Sequence, residues 1–476
     1  MRVRVAAASC MLLGAGMFAS TVFGTACKED PPKSSAEEPV VIGVSLGLTG
    51  DLGSFASTLR NAIRAAEGEI NSGGGVLGRQ VKFEIVDDRS DEKDFATSIA
   101  QDFANANVAA VLGPAGSGQV KTMQGIFAEK QIIQISPSAT STELTGIQPT
   151  GDRYLFRTTP ADDFQGAAVI LFATKTPAGI ADGGVAPPAD GGAATGGTCM
   201  RLAIVYLDNP YGTSMTKVIA ENFPKRPAAA GTRQVVSQQK IALETKSSYA
   251  DIVPGIISTD PDCLALIVYD KAAAQFVRDF KADKGYADLE KKGFFFIGTD
   301  GVYTPGFLEK AQTDSADPTQ PSVAEGVFGT NPDTQPGTPE YNRFKTIYSS
   351  YFPLKTSEDA PAFTANMFDA AALAAFAIQK AGSATDRVAI RDALKAVSAP
   401  PGKTIGPDDI TTGLIALRNG DDIDYKGASG NVDLQNNGNT ASGFIVWQAV
   451  RDAATKKVTF KTVARFTTED LVEQIQ

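Results

Sequence analysis

The sequence predicts an α/β fold built from two lobes, each a parallel sheet flanked by helices. Buried-strand runs alternate with helical apolar stripes from residue 40 onward. The same alternation restarts near residue 200. The C-terminal segments are too few for a third domain, so we expect the chain to return to both lobes through a multi-crossing hinge.

The first lobe is assigned to residues 40–160. Its strand runs are residues 40–48, 80–86, 108–113 and 132–136. The helix after the first run carries an apolar stripe with helical spacing: Leu59, Ile63, Ala66 and Ile70. The resulting βαβαβαβ order is typical of a Rossmann-like parallel sheet that helices cover on both faces.

The second lobe is assigned to residues 161–301 and repeats this pattern. Its strand runs are residues 200–206, 233–238, 263–269 and 294–298. Residues 177–198, which interrupt this lobe, are mostly Gly, Ala and Pro. This low complexity predicts a disordered surface insertion.

The remaining segments predict the returns of the chain. Helices are predicted over residues 339–351, 361–380 and 386–397, and strands over residues 323–328, 443–450 and 457–464. We expect residues 302–415 to return to the first lobe and residues 416–465 to the hinge and the second lobe.

The composition excludes several classes of function. The 476 residues include 44 Lys and Arg against 54 Asp and Glu, which gives a net charge of −10. An acidic chain without a basic run is a poor candidate for binding nucleic acid or anionic lipid. The chain has 0 His, which excludes His-based catalytic triads and the usual zinc and haem sites. We expect no metal and no cofactor.

The N-terminus predicts export. Residues 1–26 contain two arginines, an apolar run and small residues before Cys27, which is the pattern of a signal peptide. Residues 24–27, GTAC, resemble a bacterial lipobox, so we expect Cys27 to be lipidated; Gly24 departs from the Leu of that pattern, and plain cleavage after Ala26 is the alternative. Residues 27–39 are polar and Pro-rich, as in a tether.

Two cysteines of the second lobe are expected to form a disulfide. Cys199 and Cys263 stand at the start of the first and third strands of that lobe. In a sheet of order 2-1-3-4-5 these strands are parallel neighbours, ~4.8 Å apart, which is within bridging distance. An exported compartment allows the bond to persist. Two unpaired buried thiols are the alternative.

The topology also predicts where a ligand binds. In open parallel sheets, ligands bind at the loops that follow the carboxyl ends of the strands. These loops are rich in Gly, Ser, Thr, Asp and Tyr, and they are residues 49–55, 114–118, 137–142, 208–212, 270–272 and 299–303. Two lobes that face each other with such loops form a clamshell around a small polar molecule.

Each candidate residue in these loops has a simpler interpretation. Residues 113–120, GPAGSGQV, lack the Lys of a phosphate-binding loop, and Ser117 is either a ligand donor or a plain helix cap. Thr140 fits a capping box with Glu143. Asp300 before Gly301 is also typical of a turn. Tyr211 is also consistent with an ordinary loop aromatic.

Several ordered motifs resemble those of the type I periplasmic solute-binding proteins of branched-chain amino acid ABC transporters. They are LTGDLGSFA, EINSGGGVLGRQVKFEIVDDRSD, AAVLGPAGSG, ISPSATSTELT, YLFRTTPADDFQG, AIVYLDNPYG, FIGTDG and IDYKGASGNVDL. The resemblance covers nearly all of the chain after the tether. It implies a monomeric clamshell that is exported to the periplasm or the envelope surface. It also implies delivery of an amino acid or similar solute to an inner-membrane ABC permease.

The resemblance also implies roles for single residues. Ser117, Ser138 and Thr140 match positions that hold the ligand carboxylate, and Asp300 matches the acid that receives the ammonium group. Phe55 and Tyr211 match the aromatic residues of the pocket. The family often has an aromatic residue near Lys271 or Ala272, and the segment DKAA has none, so a different pocket wall is expected.

Two other functions are compatible with parts of the sequence. A receptor of the same fold that signals to a membrane partner shares every motif above. A hydrolase with a carboxylate pair at Asp87 and Asp88 is disfavoured, because nothing else converges on that pair and it is most simply a polar strand end. We therefore expect the protein not to be an enzyme.

Overall fold

The computed structural model describes residues 38–90, 92–149, 152–175, 199–228, 231–314, 317, 320–354 and 359–473. The predicted signal peptide 1–26, Cys27 and the insertion 177–198 lie outside these residues, as does the tether 27–39 apart from Glu38 and Pro39. No helix in the described part of the chain is long and apolar enough to cross a membrane.

The first sheet has five parallel strands in the order β2-β1-β3-β4-β5. The strands are β1 (Val40–Leu46), β2 (Val81–Asp87), β3 (Val111–Leu112), β4 (Gln134–Ser136) and β5 (Leu155–Arg157). The sequence predicts the first four of them. β5 has three residues, which are too few to show a period.

Four helices connect the strands of the first sheet. They are α1 (Gly53–Ser72), α2 (Asp94–Asn105), α3 (Ser117–Glu129) and α4 (Glu143–Gly146). The predicted stripe of α1 is buried along its length, from Leu59 to Ile70. Burial of this stripe against the sheet stabilises the helix, because removing apolar surface from water is favourable.

The second sheet has seven strands in the order β14-β13-β10-β9-β8-β6-β7. They are β6 (Arg201–Leu207), β7 (Gln234–Ile241), β8 (Cys263–Ile267), β9 (Phe295–Gly298), β10 (Phe328–Pro332), β13 (Phe444–Arg451) and β14 (Val458–Phe466). Strands β6 to β10 are parallel and follow the predicted order 2-1-3-4-5. β13 pairs antiparallel with β10, and β14 pairs antiparallel with β13. The two-lobed α/β fold predicted from the sequence is therefore confirmed.

The helices that follow β5 fall into two groups. Those connecting the second sheet are α5 (Asp162–Thr174), α6 (Pro210–Asn222), α7 (Val253–Ile257), α8 (Asp270–Ala282), α9 (Tyr286–Lys291) and α10 (Pro305–Lys310). The later ones are α11 (Pro339–Tyr351), α12 (Thr364–Ala381), α13 (Arg387–Ser398), α14 (Ile410–Arg418) and α15 (Thr468–Val472). A small parallel pair, β11 (Lys403–Ile405) and β12 (Ile423–Tyr425), lies among this second group.

The structure corrects the predicted boundaries of the returning segments. The predicted strand 323–328 is wrong, because β10 begins only at Phe328 and all five of its residues are buried in the second sheet. Residues 302–332 therefore stay with the second lobe. The first lobe is rejoined by α11 and α12, which pack on α1, and β12 stays with this group by packing on α13. The return to the second lobe thus begins only after Tyr425.

Cys199 and Cys263 form a disulfide in the structure, with their Cα atoms 5.8 Å apart. Leu202 of β6 pairs with Cys263 of β8, so the two strands are parallel neighbours. The bridge joins the amino ends of these strands. It therefore lies at the edge of the sheet opposite to the loops in which a ligand is expected.

Candidate functional site

One cavity lies between the carboxyl ends of the two sheets. It encloses about 350 Å³, counting the space open to solvent. It is lined by all six predicted ligand residues: Phe55, Ser117, Ser138, Thr140, Tyr211 and Asp300. Six further residues complete the lining and were not predicted to bind the ligand: Leu52, Ala115, Gly116, Tyr269, Gly301 and Phe363.

Ser117 opens α3 on the first-lobe side of the cavity. Gly116 occupies the cap position and Ser117 is the first helical residue, so the interpretation of Ser117 as a plain helix cap does not hold. Its hydroxyl oxygen accepts a hydrogen bond from the backbone N–H of Ser141 at 3.2 Å. Gly118 is covered by the carboxylate of Glu92, whereas Gly116 and Ser117 line the cavity. The amino end of α3 therefore presents partial positive charge at the cavity wall.

The loop that carries Ser138 and Thr140 follows β4. Ser138 donates a hydrogen bond to the carbonyl oxygen of Ala115 at 3.0 Å, which ties this loop to the one before α3. The capping-box interpretation of Thr140 is wrong, because α4 begins at Glu143 with Thr142 as its cap. Thr140 is 1% exposed and lies at the cavity wall.

Arg157, at the end of β5, holds this loop from behind. Its guanidinium donates to the carbonyl oxygens of Ala139 at 3.2 Å and Ser141 at 2.9 Å. It also donates to the side-chain oxygen of Asn439 at 2.6 Å. Burial lowers the pKa of Arg157 to about 10, so the guanidinium stays charged at neutral pH. This buried cation fixes the backbone of the loop whose hydroxyls line the cavity.

Asp300 is the only ionisable acid or base among the lining residues apart from two tyrosines. It stands just after β9, is 4% exposed and accepts a hydrogen bond from the Tyr211 hydroxyl at 2.7 Å. Burial raises the pKa of Asp300 to about 6, while the bond from Tyr211 lowers it. At neutral pH the carboxylate is thus ionised in a poorly solvated place, which favours a cationic partner.

A second buried carboxylate, Asp162, lies near the cavity and was missed by the sequence analysis. Asp162 opens α5 and accepts a hydrogen bond from Ser214 at 3.1 Å. Its pKa is raised well above the usual range, first by burial and then by the negative charge of Asp300. The only sign of Asp162 in the sequence is the segment TTPADD, residues 158–163, at the start of a helix. Two acidic residues at such a place are explained equally well by helix capping.

Two aromatic pairs form the apolar walls. Tyr211 stacks on Tyr269 with ring centroids 5.8 Å apart and planes 5° apart. Phe55 packs on Phe363 at 6.0 Å. Phe363 adopts the left-handed conformation with φ 62°, which is strained for a bulky residue and directs the chain into α12.

The sequence predicts a cavity wall that has no aromatic residue near Lys271, and this prediction is wrong because Tyr269 lies there. Tyr269 is the cap residue of α8, two positions before Lys271, and its ring lines the cavity. The aromatic residue therefore lies between β8 and α8 and not within the helix.

The carboxylate pair at Asp87 and Asp88 is used within its own loop. Asp87 accepts bonds from Thr49, and Asp88 accepts one from Ser45 at 2.8 Å. Neither residue lines the cavity. Within the described residues, no group of three or more Cys, Asp or Glu side chains is arranged to hold a metal ion.

A family model for periplasmic binding proteins matches residues 39–412. The chemotactic signal transduction system substrate-binding protein BasB of Halobacterium salinarum is 26% identical over 421 residues, which cover 87% of this chain and 87% of BasB. The Leu/Ile/Val-binding protein BraC3 of Rhizobium johnstonii is 26% identical over 370 residues, which cover 76% of this chain and 84% of BraC3.

Solved structures share the fold. LivJ, a branched-chain amino acid transporter substrate-binding protein from Streptococcus pneumoniae in complex with isoleucine, has a TM-score of 0.64 at 18% identity, covering 90% of this chain and 100% of LivJ. An ABC transporter solute-binding protein from Rhodopseudomonas palustris in complex with 3,4-dihydroxybenzoic acid has a TM-score of 0.63 at 16% identity, covering 90% of this chain and 98% of that protein. With the family model spanning most of the sequence, the chain belongs to the periplasmic binding protein family, in the type I group of the Leu/Ile/Val-binding proteins of ABC transporters.

Proposed function

We propose that this protein is an extracytoplasmic substrate-binding lipoprotein that captures an amino acid between its lobes and delivers it to an ABC permease. The observation that carries the proposal is the polarity of the cavity. Hydroxyl groups and the amino end of α3 line the first-lobe side, and the carboxylate of Asp300 lines the second-lobe side. A zwitterion matches this arrangement, with its carboxylate on the first lobe and its ammonium on the second.

The charge of the cavity also favours an amino acid over an aromatic acid. A benzoate has no ammonium group, and no Lys or Arg is among the residues lining the described cavity. Its single negative charge would meet that of Asp300. The stacked Tyr211 and Tyr269 and the Phe55–Phe363 pair supply apolar surface, which supports an amino acid with an apolar side chain.

A thermal-shift screen of the purified protein tests this proposal. Amino acids with apolar side chains and 4-hydroxybenzoate would be compared at equal concentrations. A ligand at a hundred times its dissociation constant stabilises the folded state by about 2.7 kcal/mol. We expect stabilisation by one or more amino acids and none by 4-hydroxybenzoate. Stabilisation by aromatic acids alone would contradict an amino acid ligand.

A sensing role is the second candidate, because BasB belongs by name to a chemotactic signal transduction system and aligns over 87% of this chain. Both roles use the same cavity and the same closure. Deleting the gene separates them: a transporter component is needed for uptake of the labelled amino acid, and a sensor is needed only for the behavioural response to it. Loss of response with unchanged uptake would establish the second candidate instead.

A further inference from the structure

The two lobes touch each other at the rim of the cavity. Lys271, on α8 of the second lobe, donates a hydrogen bond from its ammonium group to the carbonyl oxygen of Gly50 at 3.0 Å. The same ammonium group lies 4.0 Å from the carboxylate of Asp51. Thr245, also in the second lobe, donates to Asp51 at 3.4 Å. Gly50 and Asp51 belong to the first-lobe segment of residues 49–54, which contains the end of the β1–α1 loop and the first two residues of α1.

Lys310 makes a second contact with the segment of residues 49–54. Its ammonium group is held within the second lobe by the carboxylate of Asp270 at 3.2 Å and the carbonyl oxygen of Gly306 at 3.3 Å. A further hydrogen bond reaches the hydroxyl of Ser54 in the first lobe at 3.3 Å. Asp270 is 1% exposed and also accepts a hydrogen bond from Thr304. This buried carboxylate therefore holds the Lys310 ammonium group in position to contact the first lobe.

Gly306 shows how closely the lobes approach at this point. A Cβ atom on Gly306 would lie 2.3 Å from the Asp270 carboxylate, 2.6 Å from the Ser54 hydroxyl and 2.8 Å from the Lys310 ammonium group. Such distances are shorter than van der Waals contact, so a side chain here would displace the paired side chains of Asp270 and Lys310 as well as Ser54. The absence of a side chain at Gly306 permits the contact between the lobes.

The contacts at the rim adjoin the walls of the cavity. Ser54 directly precedes Phe55, and Tyr269 directly precedes Asp270; both aromatic residues line the cavity. Separation of the lobes breaks the bonds that Lys271 and Lys310 make to the first lobe. Both side chains are about one third exposed, at 39% and 34%, so salt in the solvent can weaken their interactions.

We propose that Lys271 and Lys310 form a latch on the segment of residues 49–54, and that this latch sets how long the cleft stays closed. The proposal rests on the proposed function in one respect only, which is that the lobes open to exchange a ligand. It does not depend on the class of ligand. The latch is formed by the side chains of Lys271 and Lys310 of this chain.

Small-angle X-ray scattering without any ligand tests the latch. The radius of gyration would be measured at about 10 mM and about 1 M NaCl, where the screening lengths are ~30 Å and ~3 Å. We expect the wild-type protein to expand at high salt as the lobes separate. The variant Lys271→Met/Ser54→Ala keeps Asp270 paired with Lys310 and removes the partners across the gap. We expect it to be expanded at both salt concentrations, with the ratio of open to closed protein raised about tenfold.

Lys292→Met is the matched control. Lys292 also lies in the second lobe, but it pairs with Asp260 of that lobe at 2.6 Å. This variant is expected to follow the wild-type curve. Equal radii for the wild type and the latch variant at both salt concentrations would refute the latch. Because no ligand is present, that result would leave the amino acid proposal untouched, and a failed ligand screen would leave the latch untouched.

Discussion

Asp300 is the residue on which the amino acid hypothesis depends most directly. Its carboxylate is buried and accepts a hydrogen bond from Tyr211, and its charge contributes to the raised pKa of nearby Asp162. Keeping a negative charge in such a place has a desolvation cost. A bound cation compensates for that cost. The ammonium group of a bound amino acid is a cation of suitable size.

Replacing Asp300 with Asn is expected to weaken amino acid binding at least tenfold. The amide keeps the size of the side chain but loses the charge, and a charge-assisted hydrogen bond contributes about 1.5–3 kcal/mol. Ser117→Ala is expected to cost less, because the backbone donors of α3 remain. Isothermal titration calorimetry with the amino acid found in the screen measures both. Wild-type affinity in Asp300→Asn would show that the ligand is not held by an ammonium group at this position.

Binding is also expected to depend on pH. Burial raises the pKa of Asp300 to about 6, so the carboxylate takes up a proton as the pH falls through that value. Below it, the neutral acid no longer attracts the ligand's ammonium group, which stays charged throughout. Affinity is therefore expected to fall about tenfold between pH 7 and pH 5. Calorimetry at both values measures this, and Asp300→Asn serves as the control that should lose the dependence.

The residues of the cavity differ in how well the sequence reveals them. Ser117, Ser138, Thr140 and Asp300 follow the carboxyl ends of strands, so topology alone directs attention to their loops. Phe363 and Tyr269 have no such signal: one stands before a helix that rejoins the first lobe from far along the chain, and the other ends a buried strand run. Only the folded backbone brings them to the same cavity.

At the scale of elements, the loop after β4 depends on a support from β5. Arg157 donates to two carbonyl oxygens of this loop and to Asn439, whose segment leads toward β13 in the second lobe. The loop is thereby fixed to a part of the chain that passes from one lobe to the other. This arrangement couples the geometry of the predicted carboxylate site to the hinge.

Arg157→Lys is expected to lower ligand affinity about tenfold, because a lysine cannot reach all three acceptors from one planar group. Arg153→Lys is the matched control, since Arg153 is also buried but donates to the carbonyl oxygens of Leu144, Thr145 and Gln148 and to none in the loop of residues 137–142. Calorimetry and thermal unfolding are measured together. If both variants lose the same stability and neither loses affinity, Arg157 does not position the loop.

The elements that the sequence misplaces share a physical cause. β5 and β10 are short, and β10 contains Gly329 and Pro332, which weaken a strand signal. β10 is nevertheless a strand because it lies between β9 and β13, which supply hydrogen bonds on both edges. The sequence finds α11 at its exact bounds and α12 to within three residues, since the signal of a periodic helix is local.

At the scale of the whole molecule, Cys27 is predicted to be the lipidated N-terminus. The small residues before it and the polar tether after it motivate this prediction, and they lie outside the described residues. Feeding cells a labelled fatty acid should label the wild-type protein and the Cys10→Ser control, but not Cys27→Ser. A wild-type protein that is unlabelled and released into the soluble fraction would contradict the prediction.

The disulfide is expected to stabilise the protein without affecting the cavity. Cys199 and Cys263 are separated by 64 residues, and closing a loop of that size restricts the unfolded chain by about 4 kcal/mol in the chain-entropy model. The double variant Cys199→Ala/Cys263→Ala should therefore unfold at lower urea concentration, by up to this free energy. Ligand affinity should be unchanged, because the bridge joins the amino ends of β6 and β8 while the cavity lies at the carboxyl ends of the sheets. A double variant that unfolds like the wild type, or one that stays folded but loses affinity, would contradict this separation of roles.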